Sequence, residues 1–217
     1  MTKKLFWEDP YLTNCTTKVT AVNGPEIQIA ESIFYAFSGG QESDHGNIGG
    51  WTVLEARKDG KEGLDLIYTL PENHNLTLGQ VVEVQIDWPR RYALMRLHFA
   101  AELVLELVYR DLGPIEKIGA HIAADKSRID FARATPITEH LPALSEKVNQ
   151  IIASNLPIES AFSDEANQRR YWRIEGFGQV PCGGTHLKTS SEVGLITLRR
   201  KNVGKGKERI EIYLTTN

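Results

Sequence analysis

Residues 87–112 read DWPRRYALMRLHFAAELVLELVYRDL, and the character of the chain changes at this stretch. Positions 90–111 contain neither glycine nor proline, and apolar residues recur there at helical spacing. Asp87 can cap the start of a helix, Pro89 suits its first turn, and a Gly-Pro pair directly afterwards ends it. Because apolar residues cover nearly every side, the stretch predicts a deeply buried helix.

The chain before this helix is typical of strands. Five short segments are rich in β-branched or aromatic residues and are divided by Gly, Asn, Asp or Pro. They are 16–22, 26–37, 51–60, 64–70 and 81–87. None has a helix-length apolar period, so we predict that residues 1–88 form a small antiparallel β-barrel-like module.

The chain after the helix mixes both kinds of element. Strands are predicted at 117–125, 128–134 and 171–178, a helix at about 138–155, and a shorter helix capped by Ser163. The tail predicts a hairpin of 194–200 and 208–214, joined by KNVGKGK. Residues 89–217 are therefore predicted to be an α+β domain with helices on an antiparallel sheet, and the whole protein is α+β.

Composition limits the classes of protein. The chain has 217 residues, 41% of them hydrophobic, and a formal net charge of −3. No apolar run approaches the roughly 18 residues of a membrane helix, and the start MTKKLFWEDPY lacks the apolar stretch of a secretory signal. With only Cys15 and Cys182, a disulfide scaffold is excluded and a cytoplasmic location is predicted. The acidic balance excludes a protein that coats nucleic acid nonspecifically.

Two pairs of residues have the chemistry of metal ligands. His98 and Glu102 lie four apart on the predicted helix, so both project from one face. Cys182 and His186 are also four apart, in PCGGTHL, where two glycines allow a tight turn. Thiolate, imidazole and carboxylate groups all bind zinc, and two pairs complete a tetrahedron. The spacing alone leaves open a second interpretation, in which a buried His, a buried Cys and a turn have separate structural roles.

Glu102 lies in an apolar environment, between two alanines and the run Leu-Val-Leu. Burying an unpaired carboxylate there would cost several kcal/mol. Glu102 is therefore expected to face a cation, to be hydrogen-bonded or protonated, or to reach solvent. An ion pair with an arginine is the alternative to a metal. The nearby candidates are Arg90, Arg91 and Arg96.

The segment FYAFSGGQESDHGNIGG, residues 34–50, is a third candidate. Its glycines let the backbone approach a ligand closely, and Gln41, Asp44 and His45 supply polar groups. A plain turn is the alternative. The Gly-Gly-Gln triplet also occurs in peptide release factors, but the following ESDHG does not fit their loop.

Together these motifs resemble the free-standing alanyl-tRNA editing proteins of the AlaX type, in the medium-length form. The chain is also similar to the editing region of alanyl-tRNA synthetase and, more distantly, of threonyl-tRNA synthetase. The matching blocks span essentially the whole chain in the family's order. They are KLFWEDPYL, FYAFSGGQESDHG, VQIDWPRRYALMRLH, PCGGTHL and GKGKERIEIYL.

The resemblance implies an enzyme that hydrolyses the ester between a wrong amino acid, serine or glycine, and alanine tRNA. It implies no ATP-binding module, so the protein is expected to edit and not to charge. Its partner is the acceptor end of aminoacylated tRNA, with no membrane. Monomer and homodimer both remain open. A degenerate member that only binds tRNA or a synthetase is one alternative function, and a hydrolase of another small aminoacyl substrate is a second.

The family pattern implies Zn²⁺ bound by His98, Cys182 and His186. Its fourth position is normally histidine, and here it is Glu102. A carboxylate ligand would bring the charge of the zinc site from +1 to about zero and weaken its polarising effect. Three alternatives follow: Glu102 ligates the metal, acts as a general base beside it, or marks an altered site.

The remaining residue roles also follow from the resemblance. The aminoacyl end is expected to enter between the glycine-rich loop and the metal pair. Gln41 and Asp44 join Glu102 as candidate catalytic residues, and Gly39, Gly40 and Gln41 as substrate contacts. The lysine-rich hairpin tip offers phosphate contacts, with a solvated hairpin as the alternative. Its cations are Arg199, Arg200, Lys201, Lys205, Lys207 and Arg209.

Overall fold

A computed structural model describes residues 1–59, 65–204 and 206–215 of the protein. The chain divides into two compact units, residues 1–92 and 93–217, and the division lies within the first α-helix. Both helices and strands are present and nearly all strand pairing is antiparallel, so the protein is α+β as predicted.

Short strands make up most of the first unit. In the part that the structure describes they are β1 (Lys3–Lys4), β2 (Asn14–Asn23), β3 (Glu26–Ile29), β4 (Glu31–Ser32), β5 (Gly46–Ile48), β6 (Trp51–Thr52), β7 (Glu55–Lys58), β8 (Leu66–Thr69) and β9 (Val81–Ile86). Seven of these described strands form one antiparallel sheet in the order β6-β5-β9-β2-β3-β8-β7. The other two, β1 and β4, pair in parallel. Barrel-like closure of the sheet stays a prediction.

Alternation of apolar and polar residues positions the core of this unit. Along β9 the inward residues Val82, Val84 and Ile86 are buried while their neighbours are exposed. The same alternation in β3 buries Ile27 and Ile29. Aromatic residues from the segment after β4 complete the same core.

The first α-helix, α1 (Trp88–Leu112), confirms the prediction from residues 87–112. The Asp87 carboxylate accepts a hydrogen bond from the backbone N–H of Arg90 at 3.1 Å, as a helix cap does. Beyond Tyr92 the buried residues lie all around the helix, so this part belongs to the core of the second unit. They are Leu94, Met95, Leu97, Phe99, Ala100, Ala101, Leu103, Val104, Leu107 and Val108.

The second unit contains two antiparallel sheets and a second α-helix. Within the described residues its strands are β10 (Lys117–Ile122), β11 (Ser127–Ala132), β12 (Glu159–Asp164), β13 (Arg169–Ile174), β14 (Gly178–Pro181), β15 (Ile196–Asn202) and β16 (Lys207–Leu214). The sheet orders are β10-β11-β16-β15 and β12-β13-β14. Helix α2 (Leu141–Ala153) follows a short 3-10 turn, so the predicted helix at about 138–155 is confirmed.

One predicted element is wrong. The shorter helix capped by Ser163 does not form, because residues 159–164 are strand β12, which pairs with β13 in antiparallel register. The Ser163 hydroxyl instead donates to the Arg169 carbonyl across the connecting turn. Apolar and polar residues do not alternate regularly in ESAFSD, so the segment has only a weak preference for a strand by itself. Pairing with β13 decides its conformation.

Within the described ranges, no helix is at once long enough and apolar enough to cross a membrane.

Candidate metal centre

Two elements of the second unit supply the four predicted ligand residues. His98 and Glu102 lie one turn apart on α1. Cys182 and His186 lie in the loop that follows β14. The backbone N–H of Cys182 donates to the carbonyl of Arg170 at 2.9 Å, which fixes the start of this loop against β13.

The four side chains converge. One ligand atom from each of His98, Glu102, Cys182 and His186 can be chosen so that all lie within 4.8 Å of one another. His98 Nε2 is 3.3 Å from Cys182 Sγ and 3.4 Å from Glu102 Oε2. His186 Nε2 is also 3.4 Å from Glu102 Oε2. The two imidazole ring centres are 5.3 Å apart.

The three separations of 3.3–3.4 Å fit ligand atoms around a tetrahedral ion. Zinc bonds of about 2.0–2.3 Å place tetrahedral ligand atoms about 3.3–3.8 Å apart. The buried atoms Glu102 Oε2 and His186 Nε2 have no hydrogen-bond partner among the described residues, although they face each other. Buried polar atoms are normally satisfied, so this pair points to a group that both atoms bind. The donor set of two imidazoles, a thiolate and a carboxylate therefore fits a metal ion.

Gly184 leaves the space that this convergence needs. A Cβ at this position would lie 2.6 Å from His98 Nε2 and 3.4 Å from Cys182 Sγ. The Gly184 N–H also lies 3.4 Å from the Cys182 sulfur, within reach of a weak hydrogen bond. Any larger residue here would collide with a ligand residue.

The outer contacts differ between the two histidines. The Ser160 hydroxyl lies 2.9 Å from Nδ1 of His186, which leaves Nε2 to face the cluster. His98 Nδ1 has no hydrogen-bond partner in the described part of the chain. The Phe99 ring packs edge-on to Trp172 at 5.1 Å and lies 6.1 Å from the His186 ring. Sequence reasoning missed Ser160, and nothing in its local sequence signals this contact.

The electrostatics of the cluster favour ionised ligands. Burial by itself would raise the pKa of the Glu102 carboxyl, but His98 and His186 together bring it below its ordinary value. Burial and Glu102 raise the pKa of the Cys182 thiol, and the two histidines outweigh them and lower it. Two anionic groups thus face two imidazoles, and a bound cation would replace protons on those rings.

The alternative of an arginine partner for Glu102 is wrong for two of the three candidates. Arg90 pairs with Glu42 at 2.7 Å, and Arg91 pairs with Asp44. Arg96 donates from Nε to the carbonyl of Val193 at 2.9 Å. Among the described residues, the cationic partners shown for Glu102 are His98 and His186.

The glycine-rich segment of the first unit buries a polar side chain without a partner. Gln41 is fully buried, and neither its amide nitrogen nor its amide oxygen is hydrogen-bonded to a described residue. Its backbone pairs with Ser38 in both directions, at 3.0 and 3.2 Å. The two glycines between them, Gly39 and Gly40, have φ of 61° and 86°, which a two-residue type I′ turn requires.

Both carboxylate oxygens of Asp44 have hydrogen-bond partners within the first unit. Its Oδ1 accepts from Arg91 Nε at 2.8 Å, its Oδ2 contacts the same guanidinium, and the backbone N–H of Tyr35 donates to Oδ2 at 2.7 Å. The Asp44 and Arg91 side chains are both 0% exposed. This ion pair ties the glycine-rich segment to the start of α1. Sequence reasoning considered Arg91 only as a partner of Glu102.

Two cations of the lysine-rich hairpin tip, Arg200 and Arg209, form ion pairs within their own sheet. Arg200 donates twice to Glu208, both at 2.6 Å, and Arg209 donates twice to Asp130, at 2.6 and 3.0 Å. Lys207 is exposed. Lys205, which was also predicted to contact phosphate, lies outside the described residues.

The chain is similar to domains of aminoacyl-tRNA synthetases. A family model described as the threonyl and alanyl tRNA synthetase second additional domain matches residues 165–211, which include Cys182 and His186. The alanine–tRNA ligase of Pyrobaculum aerophilum is 30% identical over 92% of this chain, which corresponds to 25% of that enzyme.

Two shorter relatives match over nearly their whole length. The alanyl-tRNA editing protein AlaX-M of Pyrococcus horikoshii is 33% identical over 99% of this chain and 98% of that protein. AlaX-M of Saccharolobus solfataricus is 30% identical over 97% of this chain and 98% of that protein. The chain therefore belongs to the AlaX-M family of alanyl-tRNA editing proteins.

Proposed function

We propose that the protein is a zinc-dependent deacylase that acts in trans on mischarged alanine tRNA and removes serine or glycine. The convergence of His98, Glu102, Cys182 and His186 to within 4.8 Å carries this proposal. Membership of the editing family supports the substrate class, since two relatives are named as alanyl-tRNA editing proteins. We further propose a cytoplasmic location, in keeping with a role in translation.

In this proposal the four residues would hold Zn²⁺, and where a coordination position is open to substrate or water the ion would polarise an ester carbonyl or activate that water. His186 is kept in its orientation by Ser160, and Gly184 leaves room for His98 and Cys182. Because transfer RNA is a good leaving group, placement and modest activation suffice.

The contacts of Glu102 support the ligand role over the general-base role. Its Oε2 lies 3.4 Å from the Nε2 atoms of both His98 and His186. A ligand directs its oxygen at the other donor atoms, and Oε2 of Glu102 does so. As a ligand, Glu102 cancels one more positive charge of the metal, so the site would be less electrophilic than one with histidine at this position.

Gln41 is proposed as the polar contact of the glycine-rich segment with substrate or water, along with the backbone of Gly39 and Gly40. Its buried amide without a described partner supports this role, because such a group is costly unless something else binds it. Asp44 is proposed to act through Arg91, by holding this segment in place. Lys207 keeps its proposed role as a phosphate contact.

The decisive experiment combines metal analysis of the purified protein with deacylation of seryl-, glycyl- and alanyl-tRNA(Ala). We expect stoichiometric zinc and hydrolysis of the mischarged tRNAs. Cys182→Ala should remove both, whereas Cys15→Ala, in the first unit, should keep both. Retained metal with lost activity in Cys182→Ala would indicate a nucleophilic cysteine instead.

The wild-type outcomes also separate the alternative functions. A zinc-replete protein that is inactive on all three tRNAs would favour another small aminoacyl substrate. A metal-free, inactive protein would favour a degenerate member that only binds tRNA or a synthetase.

A further inference from the structure

Lys58, at the end of β7, places its ammonium group against the glycine turn of the first unit. Its Nζ lies 2.8 Å from the hydroxyl of Ser38, the residue that opens the turn. Lys58 is exposed and forms no salt bridge within the described residues. Since no described acidic residue pairs with it, the Lys58 ammonium group is available to an anion.

The turn itself presents further donors. The backbone N–H groups of Gly39 and Gly40 donate to no described residue, since the two hydrogen bonds that close the turn use Ser38 and Gln41. Gly39 is exposed, and a Cβ placed on it would meet nothing within 4 Å. N–H groups that donate to no described residue, beside an ammonium group, form a donor set that suits phosphate oxygens.

An exposed aromatic ring precedes the turn. Phe37 is 55% exposed, although the three residues before it, Phe34, Tyr35 and Ala36, are buried in the core. An exposed ring beside a polar, glycine-rich turn contributes little to the hydrophobic core. Aromatic rings in such positions bind the faces of unpaired nucleic-acid bases.

A second lysine adds to the positive potential at this place. Lys4 is 6% exposed and its Nζ lies 4.6 Å above the Trp7 ring. Burial and the neighbouring Lys58 charge lower its pKa to about 8, with Asp65 partly opposing the shift. Asp65 itself is paired with the amino terminus at 3.2 Å. The charges of Lys4 and Lys58 thus act on each other, on a protein whose net charge is negative.

We infer that Phe37, the Ser38–Gly40 turn and Lys58 form a nucleotide-binding element for a single-stranded RNA end. Lys58 and the N–H groups of the turn bind a backbone phosphate, and the Phe37 ring stacks on an adjacent base. This inference rests on the proposed function and deepens it, because it assigns contacts of the acceptor end beyond the aminoacyl group. Single-stranded RNA is favoured over a free phosphate because the element combines a phosphate donor set with a base-stacking ring.

Binding of uncharged RNA tests the element without any need for hydrolysis. The probe is an acceptor-stem hairpin with its single-stranded 3′ end, and a blunt hairpin of the same stem is the comparison. Affinities are measured by fluorescence anisotropy between 50 and 200 mM salt (about the range over which phosphate contacts are resolved). Lys58→Met and Phe37→Ala are compared with Lys18→Met and Leu78→Ala, which change exposed residues elsewhere in the same unit.

We expect Phe37→Ala to weaken binding of the overhang probe by about 5- to 150-fold, as loss of one stacked base does. Lys58→Met should weaken it several-fold and lower the slope of log affinity against log salt by about 0.7, the value for one phosphate in a single strand. The two control variants should bind like wild type, and the blunt hairpin should bind equally to all. Circular dichroism checks that each variant is folded.

Unchanged affinity and salt slope in Lys58→Met and Phe37→Ala would overturn the inference, and so would an equal loss on the blunt hairpin. If the wild type hydrolyses mischarged tRNA while these variants bind normally, only this inference fails. If the wild type neither binds the overhang nor hydrolyses any of the three aminoacyl-tRNAs, the proposed function fails as well.

Discussion

The hydroxyl of Ser160 lies 2.9 Å from Nδ1 of His186, so a residue of β12 orients a candidate metal ligand in the loop after β14. With Nδ1 occupied, Nε2 is the atom that faces Glu102. Outer contacts of this kind fix the ring orientation and the protonation state of a ligating histidine. Ser160 is therefore a positioning residue for the metal centre.

Ser160→Ala should lower zinc affinity by about 10- to 100-fold, because His186 loses the group that orients it. The measurement is competition with a fluorescent chelator, and ¹⁵N NMR of the His186 ring reports its tautomer. Ser160→Thr, which keeps the hydroxyl, should restore most of the affinity. Ser163→Ala, on the same strand, is the matched control because its hydroxyl donates to the Arg169 carbonyl and not to a candidate ligand residue. Equal zinc affinity in both alanine variants would disprove the positioning role.

Glu102→Gln should reduce zinc affinity at least as strongly as Ser160→Ala does, because a neutral carboxamide replaces the carboxylate that faces both histidines. Glu102→His should keep zinc bound, since imidazole is a good ligand, and should raise the charge of the loaded site by one. Metal content after dialysis checks both. The control is Glu106→Gln, one turn further along α1. Full zinc content in Glu102→Gln with loss of hydrolysis would instead support the general-base role.

Asp44→Asn should destabilise the first unit by about 3–5 kcal/mol, because it leaves the Arg91 charge buried without its anionic partner. Glu42→Gln breaks a more exposed pair with Arg90 and should cost less than about 1 kcal/mol. Urea unfolding followed by tryptophan fluorescence compares the two. A cost for Asp44→Asn as small as that for Glu42→Gln would contradict a structural role for this ion pair.

Lys4→Met should stabilise the protein at pH 7 by about 1–3 kcal/mol, because it removes a buried charge. The pKa of Lys4 is about 8 in the folded protein against an ordinary value of 10.5. Between these pH values the unfolded chain holds more protons than the folded one, so the free energy of unfolding of the wild type rises with pH. The advantage of Lys4→Met should therefore shrink from pH 8 to pH 10.5.

The measurement for Lys4 is the difference in free energy of unfolding between variant and wild type at several pH values. Taking the difference removes the titration of the groups that do not interact with Lys4. Lys18→Met, which removes a lysine at an exposed position of the same unit, is the control. A difference that stays constant across the window would show that burial does not lower the Lys4 pKa.

Local sequence was sufficient to predict secondary structure where the deciding interactions lie within one element. The apolar period and the Asp87 cap predicted α1, and strand composition predicted most of the first unit's strands. The same approach failed at residues 159–164, where local composition gives a weak preference. There the pairing of Glu159 with Arg173 and of Ala161 with Tyr171 determines a strand.

The sequence alone determined which residue types stand at the metal motifs and how each pair is spaced, because four-residue spacing on a helix or across a glycine turn is local geometry. Only the tertiary structure decided that the two pairs meet, that Ser160 joins His186, and that Asp44 takes Arg91 as its partner. Such choices depend on strand register and on packing between segments far apart in the chain. A one-residue shift in register turns a side chain to the other face of a sheet, and no local pattern encodes that outcome.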